Sequence, residues 1–376
     1  MVPVFKKIVK GAFSIFLIDK YTFYILSNNQ MIDPHVHLRD WNQKEKETVK
    51  HGLKTACRAG LDAVFDMPNT DPSLTSEPVI KRRLELADSA GSHVFYGLYA
   101  GLTKDINQIE EMVRVYNDLY PRVVGFKLFA GKSTGELAVI SEDAQRIVFK
   151  TLSRQKFKGV IAVHCEKESH MHPELFNPDD PFTHTLARPK KSEIESVRDI
   201  IKYAALEGFK GTVHICHVSL SASVDIINNS SVNFRLTCGI TPHHLLLNEE
   251  MMKSENGYLL KMNPPLRPKC ETEKLLSMLL RGDINWIETD HAPHKRKDKR
   301  LSSGIPGFPV YPYLIKWLKA KGAPESQINN ITHNNITDTF KIEIKNTKNY
   351  TNIDLFDEYD VNAYIHCYEI KKILGQ

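Results

Sequence analysis

Eight short apolar runs recur along the chain with charged, helix-like segments between them, and this alternation constrains the fold more than any other feature. The runs are Met31–Val36, Leu61–Phe65, His93–Tyr99, Val123–Phe129, Gly159–Val163, Thr212–Val218, Phe234–Ile240 and Ile284–Thr289. Strands that alternate with helices are joined by crossovers, and crossovers make a parallel sheet. Two architectures satisfy that rule: a doubly wound open sheet and a closed TIM (β/α)8 barrel. The ends of the runs separate them. Nearly every run finishes on a reactive or hydrogen-bonding side chain: His35 and His37, Asp66 and Asn69, Lys127, His164, His217, Thr241 and His243, and Asp290. A closed barrel gathers all eight strand ends around one mouth, whereas an open sheet does not. The expectation is therefore a barrel over residues 31–330.

Local signals agree with this. Ser76–Ala90 and Thr272–Leu280 carry apolar residues at helical spacing. Ser192-Glu193-Ile194-Glu195 has the form of a capping box leading into Val197–Leu206, with Gly208 as its C-cap. Ahead of the barrel, Phe13–Ile18 and Tyr21–Leu26 are β-branched and aromatic, and Asp19 and Lys20 interrupt them. They are too short and too charged to span a membrane, and no small-residue cleavage site follows them. Residues 331–376 turn rich in Asn, Lys, Thr and Asp. Together with residues 1–30 they are expected to form a small β appendage.

Composition narrows the partners. The 376 residues are 41% hydrophobic and 25% charged, with a net charge of +5. That charge is mild and dispersed apart from the run Lys295–Arg300, which reads as a solvated loop, so neither a nucleic acid nor a membrane is the expected partner. Six cysteines without CxxC spacing fit a reducing compartment rather than a disulfide scaffold, and the expected location is cytoplasmic.

The chemistry sits in the strand-end motifs. In Asp33-Pro34-His35-Val36-His37-Leu38-Arg39, residues two apart on a strand share a face, so His35 and His37 can hold one metal ion. A lone pair of strand histidines could equally be structural. Lys127 lies inside the apolar run Gly125-Phe126-Lys127-Leu128-Phe129, where an ammonium is costly to bury. It needs a carboxylate partner, or it loses its charge. A neutral lysine amine can add carbon dioxide, and the resulting carbamate is an anion able to bridge two cations. His164 and His217 each end a strand. His214, three residues before His217, should face the opposite side, and Cys216 should belong to the core. Asp290 closes the last strand, where a carboxylate can bind metal and exchange a proton with metal-bound water. Glu288 shares its parity but lies deeper. Nitrogen and oxygen ligands without thiolate suit zinc.

In this order, DPHVHLR at 33–39, DMPNTDP at 66–72, GFKLFAG at 125–131, HICHVS at 214–219, TPHHLLL at 241–247, KMNPPLR at 261–267 and TDHAPH at 289–294 resemble the dihydroorotase branch of the amidohydrolases. The similarity covers about residues 31–320. It implies reversible cyclisation between N-carbamoyl-L-aspartate and L-dihydroorotate, a step of pyrimidine biosynthesis, on two zinc ions per chain. His35, His37, Lys127 and Asp290 would hold one ion. Lys127, as a bridging carbamate, would hold the other with His164 and His217. Asp290 would act as general acid and base on a metal-bridging hydroxide. Arg39, Asn69 and His294 would hold the substrate carboxylate, and Asn263 would meet the ring. Ser133 and Thr134 would lie on a loop that covers substrate. Relatives also lead to the expectation of a homodimer or of association with aspartate transcarbamoylase. The chain departs from the pattern at Asp40-Trp41-Asn42, where many relatives have Glu-Pro-Gly, and at Gly239, where some have Glu.

Two rivals remain at this level. A hydantoinase, dihydropyrimidinase or allantoinase would share the metal ligands, but a neutral hydantoin has no carboxylate to require Arg39, Asn69 and His294. An inactive scaffold homologue would be expected to lack ligands, and all six are present.

Overall fold

In the computed structural model, the described residues are 6–10, 13–19, 22–26, 30–132, 137–345, 350–352, 355, 358–361 and 363–364. Two sheets are present. The first is antiparallel, in the order β1 (Lys6–Lys10), β2 (Phe13–Asp19), β3 (Thr22–Leu26) and β12 (Tyr350–Asn352), so segments from both ends of the chain share it. The second holds eight parallel strands in sequential order: β4 (Ile32–Val36), β5 (Ala63–Asp66), β6 (Phe95–Gly101), β7 (Val123–Phe129), β8 (Val160–His164), β9 (Thr212–Ile215), β10 (Arg235–Ile240) and β11 (Trp286–Ile287). Closure comes just past the last strand. Val36 forms a parallel bridge with His291, and the His37 amide donates to the His291 carbonyl at 2.7 Å. The TIM barrel expected from the alternation is the observed fold.

Each strand is followed by a helix on the outside. Examples are Val49–Arg58, capped by Thr48 Oγ1, and Glu142–Arg154, capped by Ser141 Oγ, where a side-chain oxygen takes an otherwise unpaired helix N–H. Apolar residues on the outer strand faces (Val64, Leu98, Phe126, Ile161 and Val213) pack with Leu53, Ile80, Met112, Phe149 and Ile200 from the helices. The capping box predicted at Ser192 does not cap. The helix begins at Lys190 behind Pro189, which leaves Ser192 and Glu193 in the first turn. Ser192 Oγ instead bonds the Lys167 carbonyl, and Glu193 accepts from Ser219 and Ser223. Gly208 does end that helix, at φ 70.

Inside the barrel, a second cluster fills the floor. Ile32, Phe65, Tyr99, Val124, Ala162 and Trp286 meet Ile336, Phe340, Ile342 and Ile344. The Phe340 ring lies 5.1 Å from Phe65, 6.1 Å from Tyr99 and 6.0 Å from Trp286. The boundary drawn after residue 330 therefore cuts through the barrel core, because residues 336–344 plug its lower end. The polar composition of that stretch hid four well-spaced apolar side chains. The basic run Lys295–Arg300 is also only partly a solvated loop. Lys299 is fully buried, and its ammonium donates to the carbonyls of Lys261 (2.9 Å) and Gly304 (2.6 Å). Of the described cysteines, Cys165, Cys216, Cys238 and Cys270 are free thiols. No described helix is long and apolar enough to cross a membrane.

Candidate metal centre and substrate site

The upper end of the barrel holds one cavity lined by His35, His37, Lys127, His164, His217 and Asp290, the six residues singled out as metal ligands in the sequence. Arg39, Asn69 and Asn263 line the same cavity. His294 stands just outside it, with Nε2 3.5 Å from an Arg39 guanidinium nitrogen and 3.0 Å from the Ser303 carbonyl. The loop bearing Ser133 and Thr134 lies outside the described residues.

His35 and His37 share a face, as their spacing required. His35 Nε2 is 3.3 Å from Asp290 Oδ1, and His37 Nε2 is 2.9 Å from the same oxygen. The reading of His214 needs correction. Strand β9 stops at Ile215, and His217 adopts φ 37, so alternation fails between the two histidines. Both point inward, at different depths. His214 lies in the lower layer, where Nε2 bonds Glu288 Oε2 at 2.9 Å and the ring stacks on Trp286 at 4.3 Å. His217 lies in the upper layer, with Nε2 3.2 Å from His164 Nδ1. Asp290 is likewise turned inward at φ 51.

A set of acceptors fixes which nitrogen each histidine presents. Asn69 Oδ1 is 2.6 Å from His37 Nδ1, and Glu166 Oε2 is 2.9 Å from His164 Nε2. Glu288 Oε1 stands 3.5 Å from His35 Nδ1, close enough for charge but without a hydrogen bond. A ring N–H given to an acceptor leaves the opposite nitrogen as a lone pair. His37 Nε2 and His164 Nδ1 thus offer lone pairs toward the Asp290 carboxylate and His217 Nε2. Groups facing one another at such distances are held together by a shared proton or by a shared cation. Both ring nitrogens of His35 and Nδ1 of His217 are buried without a hydrogen-bond partner among the described residues. The set His35, His37 and Asp290 also has ligand atoms close enough to share one ion. The donor set therefore fits metal binding.

Electrostatics agree. Burial pushes the His35 imidazolium down to about 4, with the nearby Lys127 ammonium adding to the effect. Burial also lowers His164 and His217, which favours neutral rings able to accept a cation. For Asp290, burial works against ionisation, but His37 and His35 outweigh it and hold the carboxyl well below its ordinary value. Lys127 is fully buried, with Nζ 3.2 Å from Cys216 Sγ and 5.0 Å above the Phe129 ring. No described carboxylate pairs with it, which removes the structural ion-pair reading. Cys216, taken as core, is buried but stands directly beside this amine.

Sequence reasoning assigned no role to Glu166 or His184. Glu166 is fully buried and bonds both His164 and Arg188. Its signal was available, since it follows His164 by two and so shares its parity. His184, from the short helix Thr183–Ala187, points Nε2 at the Met262 carbonyl (2.9 Å) and Asn263 Oδ1 (3.0 Å), orienting the predicted ring contact. Nothing local in its sequence marks that role. At Gly239, a Cβ would lie 2.4 Å from the Glu288 carboxyl carbon, so the glycine makes room for an acid supplied by the neighbouring strand. At Gly304, φ is 132 and a Cβ would lie 2.7 Å from Ala292, so only glycine fits this wall of the cavity.

This arrangement has known relatives. The dihydroorotase of Methanothermobacter thermautotrophicus is 31% identical over 315 residues, covering 81% of this chain and 67% of that protein. This chain belongs to the dihydroorotase family. The dihydroorotase of Thermococcus kodakarensis is 33% identical over 281 residues, covering 74% of this chain but only 59% of that protein. With the dihydroorotase of Pediococcus pentosaceus, 29% identity extends over 360 residues, 88% of this chain and 79% of that protein. Among solved structures, an L-hydantoinase from Arthrobacter aurescens superposes with a TM-score of 0.75 at 18% identity, covering 90% of this chain and 81% of that one. A dihydroorotase from Campylobacter jejuni gives 0.66 at 17% identity, covering 84% and 85%. These likenesses establish the fold. No family profile matches the chain.

Proposed function

We propose that the chain is a dihydroorotase, interconverting L-dihydroorotate and N-carbamoyl-L-aspartate at a binuclear zinc centre with carboxylated Lys127 as the bridge. The observation that carries the substrate assignment is Arg39. Its guanidinium is buried at 2% exposure, its Nε has no hydrogen-bond partner among the described residues, and its contact to His294 is long at 3.5 Å. A buried cation in that position calls for an anion, and guanidinium matches carboxylate with a planar fork of donors. The carboxylate of dihydroorotate supplies that anion, and neutral hydantoin or dihydrouracil does not.

His35, His37, Lys127 and Asp290 would hold one ion, and Lys127, His164 and His217 the other. Bound there, two cations activate water and polarise the scissile carbonyl. The protein's own part is positional and protonic. Arg39 clamps the carboxylate, and Asn263, steadied by His184, meets the ring. The Asp290 carboxylate accepts the proton released as water adds to the carbonyl carbon. It returns that proton to the ring nitrogen as the C–N bond breaks. Ring closure runs the same steps backwards. A division into a barrel and a small terminal sheet, a cytoplasmic location, and a homodimer or association with aspartate transcarbamoylase belong to the same proposal; the partner expectations rest on resemblance alone.

The test is turnover by the purified full chain of both members of the pair, with hydantoin and dihydrouracil as controls and metal content measured on the same sample. Conversion of the pair with about two metals per chain is expected. Metal without conversion of the pair, but with hydrolysis of the neutral rings, overturns the substrate assignment. Neither metal nor turnover, after zinc and bicarbonate are supplied, overturns the catalytic reading.

A further inference from the structure

A second cavity, of about 490 Å³, opens directly above the metal centre and shares Asn263 and Ser303 with it. Its wall carries Lys46, Lys132, Arg188 and Lys261 against a single acid, Glu168. Arg188 is already neutralised by Glu166, with its guanidinium bonded to both carboxylate oxygens. The three lysines form no ion pair with a described residue. Among the described residues, Lys261 Nζ donates only to the Leu301 carbonyl (2.5 Å), and it lies 4.5 Å above the Phe176 ring. Lys46 is half-buried, and its side chain has neither a hydrogen bond nor an ion pair with a described residue. Burial and the charge of Arg39 disfavour its ammonium, and Glu45 and Asp298 offset part of that effect. The mechanism above uses none of these lysines.

We infer that this cavity is an anion antechamber, in which Lys46, Lys132 and Lys261 collect small dicarboxylates, above all N-carbamoyl-L-aspartate, ahead of the metal centre. The inference rests on the dihydroorotase reading for its choice of ligand. Near neutral pH the open substrate carries two carboxylates and the ring only one. Arg39 takes one carboxylate from either substrate. A cationic antechamber therefore favours the open form over the ring, and the favour fades as salt screens the field.

The experiment measures kcat/KM for both substrates on the metal-loaded chain across ionic strength, in the wild type, Lys46→Gln and Lys46→Glu. Calorimetric binding of N-carbamoyl-L-aspartate and of the ring form is measured in parallel. In the wild type, the logarithm of kcat/KM should fall about twice as steeply with ionic strength for the open dianion as for the ring. Lys46→Glu should lower the dianion's kcat/KM about three- to tenfold at low salt, with kcat within about twofold and the difference gone at high salt. Lys46→Gln should fall between, and Lys261→Met should give the same pattern. Equal salt slopes for the two substrates, or a Lys46→Glu defect that persists at high salt or appears in kcat, overturn the antechamber. Absence of turnover with both substrates overturns the active-site reading instead. In that case, salt-sensitive dianion binding weakened by Lys46→Glu still supports the antechamber, and its absence removes it.

Discussion

The two ends of the barrel are equally buried and built to opposite specifications. At the floor, Phe65, Tyr99, Trp286, Ile336 and Phe340 interlock, and the polar atoms are paired: Tyr99 Oη donates to the Pro34 carbonyl at 2.9 Å and Trp286 Nε1 to Glu288 at 3.0 Å. At the mouth, His35, His217 and Arg39 have buried nitrogens with no hydrogen-bond partner among the described residues. Leaving a buried polar group unpaired costs about 1–3 kcal/mol, so each such atom weakens the fold unless metal or substrate meets it. Stability is concentrated at one end and ligand affinity at the other, about one layer of side chains apart. Glu288 sits between them. It ties His214 and Trp286 below to the amide of His217 and the ring of His35 above.

That contrast can be broken most severely at the mouth. Asp290→Asn removes the proton acceptor and should lower turnover by about 10²–10⁴-fold. Its unfolding midpoint in metal-free buffer should fall below that of the wild type, since the ionised carboxylate that His37 and His35 favour is lost. Retained turnover would take the proton transfer away from this carboxylate. The floor counterpart is Phe340→Ala, for which we expect a loss of about 3–5 kcal/mol in denaturant unfolding. The surviving folded fraction should turn over at the wild-type rate. A kcat defect in fully folded protein would show that the two ends are coupled after all. Glu166→Gln should be milder. It leaves the fold standing but weakens zinc retention about 10–100-fold in a chelator competition, because a neutral amide oxygen is a poorer acceptor for His164 than the carboxylate. Unchanged retention would reduce Glu166 to a partner for Arg188.

The smallest effect concerns acid. Burial depresses His184 to about 3 and His243 to about 4, so the folded chain resists protonation at sites that take protons near 6.5 when unfolded. The unfolded state then binds more protons as pH falls through 6.5, and stability declines from there toward about 4. His184→Gln should flatten part of that slope in pH-dependent unfolding. An unaltered slope would place the acid sensitivity elsewhere.

The distance between sequence and structure follows the same division. The barrel and its six candidate ligands were legible because both are written in local pattern: alternation sets the strands, and strand-end position gathers residues far apart in the chain. Parity failed where the backbone left the strand. His217 and Asp290, at φ 37 and 51, turn their side chains in ways that alternation does not encode. The floor plug escaped notice because Ile336, Phe340, Ile342 and Ile344 are sparse among polar residues, and their burial depends on a cavity formed by strands that run from Ile32 to Trp286, far earlier in the chain. Lys299 inside a basic run, and His184 behind Asn263, were hidden for the same reason.

The sequence by itself determined the class of fold, the residues at the mouth and their chemical type, since these depend on covalent spacing and on what each side chain can donate or accept. Only the tertiary structure decided which nitrogen of each histidine faces the centre, that Lys127 lacks a carboxylate partner among the described residues, that Glu288 occupies the space left by Gly239, and that three lysines surround the approach. Those facts depend on distances between segments remote in the chain, which packing fixes and local pattern does not contain.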